Sequence, residues 1–140
     1  MNNIILIVMP LLFLKFISFN PHNTDEKKYF GKEISSICIS NERDSLWNLT
    51  DIQFEKKFQN YSFKKCLILK EYKNFFCDTI SGGNLNIWKG HIYGLMVLKD
   101  GKKIPIKISS YANFFIELQS RDKYIINQQY TEIWLEFIRH

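Results

Sequence analysis

Trp88, His91 and Tyr93 fall within six residues of one another in SGGNLNIWKGHIYG, a segment that also carries Gly82, Gly83, Gly90 and Gly94. An imidazole between two large rings can line a shallow ligand pocket or form a contact patch on a sheet. The plainer reading is a structural histidine held by hydrogen bonds. Gly82-Gly83 lacks the Gly-Lys-Ser/Thr ending of a phosphate loop, so it reads as a turn. Gly90 and Gly94 have small-xxx-small spacing outside any apolar 20-mer, which points to bulges or close strand approach.

A second candidate is FEKKFQNYSFKKC, where Phe54, Phe58, Tyr61 and Phe63 interleave with Lys56, Lys57, Lys64 and Lys65. Cations of this kind neutralise phosphate or carboxylate while rings stack on bases or sugars. The stretch holds no Arg, the residue suited to bidentate anion recognition. Lys and Asn are also abundant throughout, and Ala occurs once, at Ala112, as AT-rich coding would give. Rings facing the core and lysines facing water are therefore expected, with Lys57, Lys64 and Lys65 retained as candidate binding residues.

Cys38, Cys66 and Cys77 allow at most one internal bridge and one remaining thiol. Cys66 and Cys77 bracket KCLILKEYKNFFCD, and a tight turn at Glu71-Tyr72 would set them opposite each other, making them the disulfide candidate. The competing reading is that they are buried free thiols acting as small hydrophobes. No Cys-x-x-Cys or His-x-x-x-His spacing occurs, and His22, His91 and His140 are scattered. No metal and no cofactor are expected.

Catalytic signatures are sparse. There is no Gly-x-Ser-x-Gly elbow and no His-Glu-x-x-His pair, and Asp44, Asp51, Glu55, Glu71 and Asp78 stand singly among lysines. A cysteine nucleophile with His91 as base stays open, since such partners meet in space and not along the chain. Ser109-Ser110-Tyr111-Ala112-Asn113 reads as a turn rather than a ligand-binding hydroxyl cluster.

These groups must be positioned by strands. In HIYGLMVLKDGKKIPIKIS, Asp100-Gly101 separates two β-prone runs and suggests a type I′ hairpin. Ile104, Ile106 and Ile108 alternate with Pro105, Lys107 and Ser109, giving one apolar face and one wet face. Pro105, without an N–H, marks an edge strand or an outward-bonding position. Further strands are expected at 64–70, 74–80, 84–88, 113–118 and 123–126.

Thr24 or Asp25 is a plausible cap for a helix over 24–39, where Phe30, Ile34, Ile37 and Cys38 share a face despite Gly31. Residues 40–50 read as a loop. At the C-terminus Tyr130, Ile133, Trp134, Phe137 and Ile138 follow helical spacing, although Thr131, Ile133, Leu135 and Phe137 also alternate as a strand would. The helix is the expected form. The fold class is therefore α+β: a small, mainly antiparallel sheet with an N-terminal helix and, by this pattern, a C-terminal one.

The 140 residues suit one core, and a 16% aromatic fraction with 19 basic against 14 acidic residues excludes a disordered chain. Residues 4–19, IILIVMPLLFLKFISF, form an apolar run before the polar NPHNTDEKK. As a helix it would span about 24 Å, short of the ~30 Å hydrocarbon core. Residues 1–20 are read as a signal peptide or N-terminal membrane anchor, and 21–140 as one exported domain. Without Lys15 the domain keeps 18 basic and 14 acidic residues, a charge of +4.

The resulting expectation is an exported, non-enzymatic binding or interaction protein. Its partner would be another protein or an envelope component; nucleic acid is disfavoured, and membrane contact would come only through 4–19. A Cys/His envelope enzyme and an inhibitor or immunity-type protein that caps a secreted toxin are the alternatives.

Overall fold

Among its described residues, 32–82 and 90–140, the computed structural model contains seven strands and three short α-helices. The strands are β1 (Ile34–Ile39), β2 (Lys65–Ile68), β3 (Phe76–Ile80), β4 (His91–Leu98), β5 (Lys103–Ser109), β6 (Phe114–Glu117) and β7 (Lys123–Ile126). They form one antiparallel sheet in the order β2-β1-β4-β5-β6-β7-β3. The helices are α1 (Arg43–Leu46), α2 (Asp51–Lys57) and α3 (Thr131–Arg139). The apolar run 4–19, the start of the expected N-terminal helix and the expected strand 84–88, with Trp88, lie outside the described residues. No helix among the described residues is long and apolar enough to cross a membrane.

β2 and β3 are consecutive in sequence yet occupy opposite edges of the sheet. Laid flat, seven strands would put those edges about 29 Å apart. The connection, residues 69–75, starts with a tight 3-10 turn at Leu69–Glu71 and cannot stretch that far. The sheet must therefore curl.

Its inner face is filled by Ile37, Ile39, Met96, Ile106, Phe115 and Tyr124, and by Trp134, Phe137 and Ile138 of α3. α3 forms as the helical spacing predicts, because that spacing lets its buried stripe close over the curled sheet. Asn127 caps the 3-10 turn ahead of it, its side chain accepting from the Gln129 N–H.

The outer face carries a second, smaller cluster: Leu46, Phe54, Tyr93 and Leu118. α2 is held there by Phe54, whose ring stacks on Tyr93 with centroids 4.4 Å apart. Thr50 starts this helix with a reciprocal capping box to Gln53.

Three expectations are corrected. The stretch expected to close an N-terminal helix is strand β1: Ile37 and Ile39 enter the inner core, while Cys38 faces outward against β2 and β4. Branched isoleucines pack well on a pleated surface, and two neighbouring strands were waiting to pair with them.

The disulfide joins Cys38 to Cys66, not Cys66 to Cys77. β2 does not turn back on β3; it pairs with β1, where Cys38 stands directly opposite Cys66. Cys77 is left as a free, exposed thiol on the far edge.

The β4–β5 turn is not type I′. Leu98 and Lys102 close a three-residue loop, and only Gly101 takes positive φ (86°) while Asp100 accepts from the Lys102 N–H. This is a type I turn ending in a glycine bulge.

Two subtler features follow from register. Pro105 lies inside the sheet, but its carbonyl accepts from the Leu118 N–H, so its ring nitrogen faces the same way, past the last β5–β6 pair at Ile106 and Glu117. The missing donor leaves Pro105 and Leu118 joined by one bond instead of two, at the end of the β5–β6 ladder. A Cβ at Gly94 would come within 2.6 Å of the Cys38 carbonyl oxygen, so glycine permits the close approach of β1 to β4. Residues 40–50, read as a loop, include the single turn α1.

Candidate functional site

β4 points alternate residues to the outer face, which brings His91 and Tyr93 together with their rings 4.8 Å apart and edge to face. Asp51, the first residue of α2, sits above them. Its Oδ1 is 2.7 Å from the Tyr93 hydroxyl and 3.0 Å from Lys107 Nζ on β5, and its Oδ2 is 3.6 Å from the Arg121 guanidinium. The Tyr93 hydroxyl also lies 3.0 Å from the Leu49 carbonyl oxygen. One carboxylate therefore ties α2 to β4, to β5 and to the β6–β7 turn.

Charge follows from this geometry. Burial alone would raise the Asp51 pKa, but the Tyr93 hydroxyl, the Lys107 ammonium and Arg121 outweigh it and hold the carboxyl below 3.8. Burial, followed by the hydrogen bond to Asp51 and its charge, pushes the Tyr93 hydroxyl far up, so it stays a donor. His91 is lowered below 6.5 by burial first and by Lys107 second, against the opposing pull of Asp51. Its imidazole is neutral at pH 7.

The His91 ring is also covered by Trp47, stacked nearly parallel (4°) with centroids 6.0 Å apart. Nε2 is buried and has no hydrogen-bond partner among the described residues. Trp47 itself is 61% exposed. At the preceding position, a Cβ on Gly90 would fall 2.6 Å from the Tyr111 ring, which is 81% exposed. Two large aromatic side chains thus lie in water against consecutive residues at the start of β4. What this arrangement offers chemically is apolar contact area over an ion-paired base.

No protein family, curated protein or solved structure matches the chain. Its site stands on its own geometry.

Of the residues singled out from sequence, His91 and Tyr93 converge, and Trp88 is outside the described residues. The lysines do not gather. Lys57 is in the last turn of α2 and exposed, as is Lys64 beyond it. Lys65 turns to α3, its ammonium 2.5 Å from the Phe137 carbonyl oxygen and 5.4 Å from that ring's centroid. There it stabilises the helix C-terminus, where cations are favoured.

A thiol–imidazole pair is not assembled among the described residues. Cys38 and Cys66 are joined, and β5, β6 and β7 separate the strand of Cys77 from that of His91. Nor do three His, Cys, Asp or Glu side chains converge there as metal ligands would.

Sequence reasoning missed Trp47, Asp51, Lys107 and Arg121. For Asp51 a signal existed: Thr50-Asp51-Ile52-Gln53 matches the capping-box pattern and announces a helix start, where an acidic side chain is favoured. Lys107 and Arg121 carry no local signal, because their pairing depends on strand order.

Proposed function

We propose that the chain is an exported, non-enzymatic interaction protein that engages another protein or an envelope component through the aromatic end of its outer face. The observation that carries this reading is the exposure of Trp47 and Tyr111 beside His91 and Gly90. Large rings left in water are enriched among the few residues that dominate contact energy. The Asp51 network beneath them fixes the backbone in advance, which lowers the ordering cost of association.

Export has two supports. One is the apolar run 4–19 with its abrupt polar boundary. The other is the Cys38–Cys66 bridge, a bond that persists mainly in oxidising compartments.

The test is capture from the host's envelope and culture fluid on immobilised protein, followed by affinity measurement on whatever is recovered. Trp47→Ala and Tyr111→Ala should each weaken binding about 30-fold, the scale of a contact hot spot. Both side chains are exposed, so thermal stability should barely move. Recovery of no partner, or equal binding by both variants, would overturn the reading.

A further inference from the structure

At the other end of the same hairpin, away from His91 and Ser109, the outer face opens into a groove of about 590 Å3. That is the size range of sites for small organic ligands. Phe58, Tyr61 and Phe63 form one wall, and Cys38, Leu95 and Val97 form the floor. The rim at the β4–β5 turn is Gly101, Lys102 and Lys103.

Register shows how these groups are ordered. Val97 is paired with Lys103 next to the turn, whereas Leu95, paired with Pro105 and with Cys38, lies two residues deeper. Two residues of strand are about 7 Å. The groove therefore passes from a cationic mouth to an apolar, aromatic interior. None of the residues lining it is acidic, and among the described residues neither Lys102 nor Lys103 has a salt-bridge partner.

We propose that this groove binds a medium-chain aliphatic carboxylate, with its tail against Phe58, Phe63 and Leu95 and its head at Lys102 and Lys103. Apolar walls alone would accept any greasy molecule. The separation of charge from apolar surface along one axis selects a molecule with the same separation and the opposite charge. A neutral hydrophobe leaves the lysines unused, and a multiply charged anion without a tail leaves the walls wet. The inference goes beyond the interaction surface at Trp47 and Tyr111 and stands or falls independently of it.

The experiment titrates decanoate and decyltrimethylammonium, equal in chain length and opposite in charge, into the full chain. Methyl NMR signals of Leu95 and Val97 report where each binds. Decanoate is expected to bind and shift both signals, with the cationic amphiphile at least about tenfold weaker. Lys102→Glu/Lys103→Glu should reverse that preference, and because both side chains are exposed the fold should tolerate it. Equal affinity for the two amphiphiles, a preference unchanged by the double substitution, or decanoate shifts confined to signals other than Leu95 and Val97 would each overturn the proposal. Absence of decanoate binding would do the same. None of those results bears on capture through Trp47.

Discussion

Removing the Cys38–Cys66 bridge is expected to lower the unfolding free energy by about 3–4 kcal/mol, the chain-entropy value for a loop of this size. The two cysteines are 28 residues apart in sequence. Between them lie α1, α2 and the whole aromatic wall of the outer face, so the unlinked denatured chain gains the freedom of that entire segment.

The native state has little to offset this loss. β2 is only four residues long and pairs with β1 alone, yet it carries Leu67 and leads directly into Leu69, both buried in the inner core. For a domain of this size the melting temperature should fall by roughly 10–15 °C. Thermal melts of the wild type with and without reductant, beside Cys38→Ala/Cys66→Ala, would measure it. The double variant should match the reduced wild type and ignore reductant. Cys77→Ser should melt with the wild type, since Cys77 is exposed and unbridged. A reductant-sensitive melt that persists in Cys38→Ala would show instead that Cys66 pairs with Cys77.

That contrast shows what local sequence can and cannot specify. The β4–β5 hairpin and α3 were legible, because alternation over 104–108 and helical spacing over 130–138 are properties of neighbouring residues. β1 was misread for a physical reason. Ile34, Ile37 and Cys38 satisfy helical spacing, and only the presence of β2 and β4 on either side makes Ile37 and Ile39 a strand face.

The cysteine pairing failed at the same level. A turn after β2 was visible, but whether the chain returned to β2 or crossed to the opposite edge depended on the curl of the sheet. In the site, His91 and Tyr93 were legible as i and i+2 positions of a strand. The lysine-rich stretch was legible only in part: Phe54 entered the outer cluster and Lys65 went to α3, as core and surface residues do.

Loss of the Asp51 carboxylate is the second large effect. Asp51→Ala removes the charged acceptor of the Tyr93 hydroxyl and the carboxylate that lies 3.0 Å from Lys107 Nζ. Losing these two interactions at a half-buried site costs about 2–3 kcal/mol. Asp51→Asn should cost less, because the amide oxygen can still accept from Tyr93.

The asparagine variant is the more informative in acid. The folded carboxyl lies below the 3.8 of the unfolded chain, so its contribution is complete above that value and is lost as pH falls through the folded one. The stability gap between wild type and Asp51→Asn should therefore narrow as pH falls below 3.8 and close only below the folded value.

His91 adds a decline of the same sign at milder pH. Its folded pKa lies below 6.5, so protonation favours the unfolded chain and stability declines as pH falls from 6.5 toward the folded value. Asp51 is the group that opposes this depression. In Asp51→Asn the His91 titration should move lower still, and the decline should extend over a wider pH range. NMR titration of the His91 ring in both proteins measures the shift, and an unmoved midpoint would mean that the carboxylate does not act on the imidazole. The same titration reaches the proposed contact surface. A protonated His91 beneath Trp47 would have to shed burial to be hydrated, so the stacked pair should loosen only below the folded pKa, leaving the aromatic face intact at neutral pH.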